Sequence, residues 1–104
     1  MNPFEMMKNL QQMQEKMQQL QEKMKIISAI GTAGGDLVKV TVNGQMEILQ
    51  VDLSPECVDP RDIAMLADLI RLAANDAMLR VKEKMKEELG PLGQGLGLPG
   101  FPGV

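Results

Sequence analysis

Residues 31–53 read Gly-Thr-Ala-Gly-Gly-Asp-Leu-Val-Lys-Val-Thr-Val-Asn-Gly-Gln-Met-Glu-Ile-Leu-Gln-Val-Asp-Leu, with β-like runs on both sides of Asn43-Gly44. The first run alternates three valines with two polar residues, the period-2 pattern of a half-buried strand: Val38, Lys39, Val40, Thr41 and Val42. Asn-Gly suits a type I′ turn because both residues tolerate positive φ. The stretch therefore predicts a β-hairpin with a two-residue turn, whose apolar face other segments must cover.

The segment before the hairpin carries the signals of a long helix. Asn2 can cap its start, Pro3 suits the first helical position, and Glu5 lies near the positive end of the helix dipole. A helix from Pro3 to Lys25 would be roughly 34 Å long. Its apolar residues alternate spacings of four and three, which predicts an a/d seam: Met6, Leu10, Met13, Met17, Leu20, Met24 and Ile27.

The segment after the hairpin predicts a second helix of roughly 45 Å. Asp59 as cap and Pro60 at the first position predict its start, and Gly90-Pro91 predicts its end. Apolar residues surround most of its first half, so that half must be buried on nearly all sides. Residues 90–104 hold six Gly, three Pro and no charge, which predicts a flexible tail. We therefore divide the chain into a domain of residues 1–89 and a tail of residues 90–104.

The lengths of the two helices favour an intertwined homodimer over a monomer. A compact domain of about 100 residues has a radius of gyration of only about 13 Å, so it cannot enclose both helices. We expect two copies to pack their second helices near a two-fold axis. The predicted fold is α+β, with a long N-terminal helix, a small antiparallel sheet with a β-hairpin, and a long C-terminal helix. The residues expected at the dimer interface are Leu66, Ile70, Ala73, Ala74 and Ala77.

Composition argues against catalysis. The chain has no His and one Cys, so it lacks a zinc-type ligand set and the commonest general base. Gly31, Gly34 and Gly35 lack the Lys-Ser/Thr ending of a phosphate-binding loop, and we interpret them as a connection entering the first strand. Cys57 has no His partner and is interpreted as structural or incidental, not reactive. We expect no enzymatic activity, no cofactor, no metal and no small-molecule substrate.

Charge and hydropathy bear on location and partners. No apolar run is long enough to span a bilayer, and the N-terminus lacks the order of a signal peptide, so we expect a cytoplasmic protein without a membrane partner. The net charge of −3 does not suggest nucleic-acid binding. Residues 1–25 nevertheless hold four Lys against three Glu, and Lys16 and Lys23 share one helix edge. From charges alone, a solvated helix face is the favoured interpretation.

Several segments, taken in order, carry a family resemblance: Asn2-Pro3-Phe4, Met13-Gln14-Glu15-Lys16-Met17, Gly34-Gly35, Val38-Lys39-Val40-Thr41-Val42-Asn43-Gly44, Leu66-Ala67-Asp68-Leu69-Ile70, Ala74-Asn75-Asp76-Ala77 and the Gly/Leu/Pro tail. Together they resemble the YbaB/EbfC family of bacterial nucleoid-associated proteins over nearly the whole chain. The resemblance implies a small α/β homodimer whose helices protrude like tweezers and bind double-stranded DNA in the nucleoid. It also implies a role in nucleoid organisation and gene expression.

By the same resemblance, the DNA contacts fall on basic residues of the helical ends, first Lys8, Lys16, Lys23 and Lys25, and second Arg80, Lys82, Lys84 and Lys86. With only three Arg and no Trp or Tyr, we expect mainly electrostatic binding of weak sequence specificity. The alternative is a non-enzymatic helical adaptor or chaperone-like dimer. Such a protein would bind a protein partner through the Met-rich first helix.

Overall fold

A computed structural model describes residues 2–96 of the chain, with side chains described as far as residue 90. Its elements are the helix α1 (Pro3–Ile26), the strands β1 (Ser28–Ala33), β2 (Val38–Asn43) and β3 (Ile48–Leu53), a 3₁₀ turn (Pro55–Cys57) and the helix α2 (Ile63–Leu96). The predicted α+β fold is confirmed. The molecule measures 70 × 21 × 17 Å and its radius of gyration is 19.0 Å. It is therefore more extended than a compact domain of this length, at about 13 Å.

The sheet has the strand order β1-β2-β3, and both pairs are antiparallel. The predicted alternation in the central strand is confirmed, because Val38, Val40 and Val42 are fully buried while Lys39 and Thr41 are half-buried. The strand β1 was not predicted, and the residues interpreted as a connection lie elsewhere: Gly31 is inside β1, and Gly34 and Gly35 belong to the turn that joins β1 to β2. Their φ angles of 62° and 72° explain the two glycines of this turn.

The loop between β2 and β3 is not the predicted two-residue type I′ turn. It spans residues 44–47, and its residue with positive φ is Met46, at 63°. The side-chain oxygen of Asn43 accepts hydrogen bonds from the main-chain N–H groups of Gln45 and Glu47, both at 3.0 Å. The side chain of Asn43 thus organises the four-residue loop. Asn43 itself is buried and is the last residue of β2.

A glycine is required at position 44 because the C-terminal end of α1 approaches it closely, and not because its φ is positive. Its N–H donates to the carbonyl oxygens of Met24 (2.8 Å) and Ile27 (2.9 Å), at the C-terminal end of α1. A Cβ on Gly44 would lie 2.5 Å from the carbonyl oxygen of Met24. The hydrogen bonds to α1 hold this residue in place, which explains why the sequence signal for a tight turn was misleading.

The start of α2 lies later than predicted. The side chain of Asp62 accepts from the N–H of Met65 at 3.1 Å and so caps a helix that begins at Ile63. The side chain of Asp59 accepts from the N–H of Arg61 at 2.9 Å instead, and forms a turn just before the helix. The predicted start signal was therefore correct in kind and displaced by three residues.

The end of α2 also lies beyond the predicted Gly90-Pro91. The helix continues to Leu96, so the predicted helix end is wrong. A proline inside a helix removes one hydrogen bond, but its fixed φ of about −65° is compatible with helix, so a well-anchored preceding turn can carry the helix past it. Here Leu89 anchors that turn, with 1% of its surface exposed. The remainder of the predicted tail, residues 97–104, lies outside the described residues.

The core lies between α2 and the first two strands. A stripe of α2 residues at intervals of four is buried in this core: Ala73, Ala77, Val81, Met85 and Leu89. A Cβ on Gly31 would overlap the main-chain nitrogen of Ala77 and the carbonyl oxygen of Ala73, so the helix backbone rests directly on β1. Cys57 is also buried, and its thiol donates to the carbonyl oxygen of Ser54 at 3.0 Å, which agrees with a structural role.

Candidate nucleic-acid interface

The helix α1 projects from the body and exposes its lysines. Leu20 is the one buried residue described within it, and the apolar residues nearer its N-terminus remain exposed. All four predicted contact lysines of this helix are exposed, and none forms an ion pair within the described part of the chain: Lys8, Lys16, Lys23 and Lys25. These ammonium groups are therefore available to an external anion.

Between residues 9 and 23, one face of α1 carries hydrogen-bond donors and no carboxylate, and Glu5 lies on the same side roughly 16 Å nearer the N-terminus than Lys16. Lys16 and Lys23 are seven residues apart, so they lie within about 20° of each other around the helix axis. Asn9, Gln12 and Gln19 fall on the same side, and the set from residue 9 to residue 23 is roughly 21 Å long at the standard rise. We call these five residues the donor face. The carboxylates of Glu15 and Glu22 lie about 100° around the helix axis from Lys16 and Lys23, respectively.

The predicted contacts on α2 divide into two pairs. Arg80 donates through Nε to Asp76 Oδ2 at 3.0 Å, and Lys84 donates through Nζ to the carbonyl oxygen of Ser28 at 2.9 Å. These two cations are engaged with the protein itself. Lys82 and Lys86 are exposed, and no ion pair is recorded for either within residues 2–90.

At the junction of α1 with the body, some of the predicted contact residues of α1 lie close to some of those of α2. Met24 of α1 and Met85 of α2 both lie against Gly44, as the atoms nearest to it show. Lys82 and Lys86 are within one turn of Met85, so they lie near the C-terminal turn of α1, which carries Lys23 and Lys25. Lys8 is not part of this group, because it lies roughly 23 Å further out along α1.

Asp76 is an acid of α2 whose pKa depends on this arrangement. The N–H of Thr32 donates to its carboxylate at 3.0 Å, and this hydrogen bond lowers the pKa of Asp76, with a further contribution from the Arg80 side chain. Asp59 behaves in the same way, since the side chain and N–H of Arg61 lower its pKa. Asp76 therefore remains ionised at neutral pH and holds Arg80 beside it.

The predicted dimer residues fall into two groups. Ala73 and Ala77 are fully buried against their own β1 and present no surface to a second copy, which corrects the prediction for these two residues. Leu66, Ile70 and Ala74 are partly exposed beside the core. Small residues indicate close packing, and here the close partner is Gly31 of the same chain.

Sequence reasoning missed an exposed apolar surface on β3. All six residues of this strand are exposed. Ile48, Val51 and Leu53 pair with Val42, Val40 and Val38 and so share the apolar face of the sheet, yet they retain 52%, 44% and 41% of their accessible surface. The first half of α2 exposes further large apolar side chains: Ile63, Met65, Leu72 and Leu79. The apolar pattern of β3 signalled a strand, but not that α2 leaves it uncovered.

The described residues offer neither a metal site nor a membrane span. Across residues 2–96, no group of three His, Cys, Asp or Glu side chains is placed to hold a metal ion. In the same part of the chain, no helix combines the length and the apolar character needed to cross a bilayer.

Comparisons with known proteins give the same fold and a family. In a solved structure, an uncharacterized protein of Helicobacter pylori superimposes with a TM-score of 0.70 over 88% of this chain and 97% of that chain, at 24% identity, which shows the shared fold. A nucleoid-associated protein of Dictyoglomus thermophilum is 44% identical over 103 residues, covering 99% of this chain and 97% of that protein. One from Lysinibacillus sphaericus is 52% identical over 69 residues, 66% of each chain. The sequence model of the YbaB/EbfC DNA-binding family matches residues 1–96. The chain belongs to this bacterial family of DNA-binding, nucleoid-associated proteins.

Proposed function

We propose that the chain forms a homodimer that binds double-stranded DNA in the cytoplasm, within the nucleoid, through mainly electrostatic contacts of weak sequence specificity. Through this binding it affects nucleoid organisation and gene expression, without catalysing a reaction. The observation that carries the proposal is the donor face of α1, where Lys16 and Lys23 are exposed beside neutral amides. The family's DNA-binding character supports it independently.

The electrostatics of the chain fit binding by an arm. The whole chain has a net charge of −3, so an approach of DNA to the body is disfavoured. The donor face reaches beyond that body and offers ammonium and amide groups to phosphate oxygens. Each Lys–phosphate contact releases condensed counterions, so the affinity should fall steeply with salt.

The proposed homodimer rests on apolar surface that one chain leaves uncovered. Ile48, Val51 and Leu53 extend the apolar face of the sheet past α2, and Leu72 adds exposed apolar surface on the helix itself. A second copy placed about a two-fold axis would cover both surfaces at once.

The donor face is tested by DNA retardation over a series of salt concentrations. The variant Lys16→Gln/Lys23→Gln removes two positive charges per chain. We expect its affinity at low salt to fall by at least about tenfold, and its salt slope to decrease by about 4 for two arms. The matched control Gln14→Glu/Gln21→Glu produces the same change in net charge on the far side of α1 and should have a much smaller effect.

Two results would contradict the proposal. Equal losses in the two variants would show that net charge, and not the donor face, controls the binding. A wild-type protein that retards no duplex at low salt would remove the DNA interaction altogether. Sedimentation equilibrium tests the dimer, which should give twice the 11.4 kDa mass of one chain.

A second candidate function is favoured by one observation. Leu10, Met13 and Met17 remain exposed and line a shallow groove on α1 together with Gln14, Gln18 and Gln21. As an adaptor, the protein would receive an amphipathic helix of a partner along this groove. The variant Leu10→Gln/Met17→Gln separates the two functions, because it should preserve DNA retardation and abolish capture of such a partner. A loss of DNA binding in this variant would argue against separate surfaces.

A further inference from the structure

The outer edge of β1 is occupied by side chains from α2. Thr32 and Ser28 turn main-chain groups away from β2, and both of these groups are bonded: the N–H of Thr32 donates to Asp76 Oδ2 at 3.0 Å, and the carbonyl oxygen of Ser28 accepts from Lys84 Nζ at 2.9 Å. The two contacts are separated by two turns of α2 and by four residues of β1. Gly31 makes this geometry possible, because it lets the helix backbone rest on the strand.

The space between these two contacts is lined with charge. Ile30 lies there with 54% of its surface exposed. The side chains of Arg80, Glu83 and Glu87 line the same groove beside it. A strand that paired with β1 would have to displace both hydrogen bonds and bury these charges. Natural sheets protect an edge in this manner, with charged side chains and a covering helix.

The opposite edge of the sheet has no such protection. Within the described residues, no side chain of another element donates to or accepts from the main chain of β3, and all six residues of this strand are exposed. Four of them are apolar: Ile48, Leu49, Val51 and Leu53. An exposed apolar strand with unpaired main-chain groups readily pairs with another chain.

We propose that Asp76 and Lys84 act as a latch that closes the β1 edge to strand addition, so that the sheet associates with a second copy on its β3 side alone. The proposal deepens the proposed homodimer and rests on it for the identity of the partner. A sheet with one open side forms a closed pair, whereas a sheet with two open sides forms chains of copies. The latch therefore limits assembly to two copies.

The test is light scattering after size exclusion over a hundredfold range of protein concentration. The variant Asp76→Ala/Lys84→Ala removes one acid and one base, and so does the matched control Lys82→Ala/Glu88→Ala at exposed positions of the same helix. We expect the control and the wild type to keep one constant mass. The latch variant should rise to at least about twice that mass at the highest concentration, because both edges are then open. Far-UV circular dichroism checks that each variant is folded.

A third variant distinguishes an open edge from misfolding. Adding Ile30→Lys to the latch variant places a charge on the open edge and should return the mass to the wild-type value. If Asp76→Ala/Lys84→Ala fails to fold, the single variant Lys84→Met, which keeps the aliphatic stem, replaces it and should show a smaller rise. A folded latch variant that keeps the wild-type mass would overturn the proposal, as would association that Ile30→Lys does not reverse. A monomeric wild type would overturn the proposed dimer instead, because the latch is tested by the difference between variants.

Discussion

The two long helices differ in how the rest of the molecule holds them. The helix α1 has 24 residues and buries Leu20, whereas α2 has 34 residues and buries a stripe of five side chains in the core. The apolar seam of α1 is the more regular of the two in sequence. A helix is buried where its backbone can closely approach a neighbouring element. In α2, the small side chains of Ala73 and Ala77 allow this approach to Gly31. A regular pattern of large apolar residues thus indicates that a segment is helical. Small residues on two facing elements indicate where the helix packs against the rest of the molecule.

The largest expected effect is the loss of the close contact beneath α2. In Gly31→Ala the new Cβ would overlap main-chain atoms of Ala73 and Ala77, which cannot move without displacing the helix. We expect a loss of about 4 kcal/mol or more in the free energy of unfolding, or no folded protein. In the control Gly90→Ala the added Cβ meets nothing within 4 Å, and stability should not decrease. Chemical denaturation compares the two, and equal effects would contradict the packing described here.

The next prediction compares one leucine from each helix. Leu89 of α2 is 1% exposed and Leu10 of α1 is 59% exposed. Leu89→Ala should destabilise the protein by about 2–5 kcal/mol because it leaves a cavity. Leu10→Ala should change the stability by no more than about 0.5 kcal/mol. Urea unfolding at a fixed protein concentration measures both, and a large effect of Leu10→Ala would show that its face of α1 is covered in solution.

The N-cap residues of α1 and α2 should also differ in how much they contribute to the stability of the whole protein. Asn2 accepts from the N–H of Phe4 at 3.1 Å, and Asp62 accepts from the N–H of Met65 at 3.1 Å. Asp62→Ala should lower the global free energy of unfolding by about 1 kcal/mol, since α2 unfolds with the core. Asn2→Ala should fray the first turn of α1 and leave the global value almost unchanged. Hydrogen exchange at the first amides of α1, combined with thermal melting, separates local from global loss. A drop in melting temperature of equal size in both variants would contradict this view.

The smallest effect concerns the pH dependence of the α2 attachment. The hydrogen bonds from Thr32 and Arg80 lower the pKa of Asp76 below its ordinary value of 3.8 in the folded state. Its contribution to stability is therefore present above the unfolded pKa and is lost as the pH falls through the folded pKa. Asp76→Asn should flatten the acid limb of the stability curve, whereas Asp36→Asn, at an exposed turn, should not. Identical acid limbs in the wild type and Asp76→Asn would refute a role for this carboxylate.

The periodic parts of the fold could be predicted from the sequence. The alternating valines of β2 and the Asn2-Pro3 start of α1 depend on interactions between near neighbours in the chain, so their patterns are local. The strand β1 was missed because Ser-Ala-Ile-Gly-Thr-Ala has small residues where strand patterns expect large ones. They are small because α2 lies on them, and that contact joins residues more than forty positions apart.

The candidate site could be predicted in part. The exposure of Lys16 and Lys23 follows from their positions on a polar helix face. Lys84 looked equivalent by sequence, yet the carbonyl oxygen of Ser28 holds its ammonium, an interaction between residues 56 positions apart. A side-chain bond to a distant main-chain group has no sequence signal. The same holds for β3, whose exposure depends on the direction in which α2 crosses the sheet.

The hydrogen bonds of Gly44 have a mechanical consequence. Its single N–H is shared by two carbonyl oxygens at the C-terminal end of α1, at 2.8 and 2.9 Å, so a rotation of the helix relative to the sheet would distort both hydrogen bonds. We therefore expect the attachment of α1 to the sheet to be stiff, so that motion of α1 arises from bending along the helix. In the proposed homodimer, the separation between the two α1 helices would therefore stay constant. We would then expect only a nucleic acid whose width matches that separation to fit between the two arms.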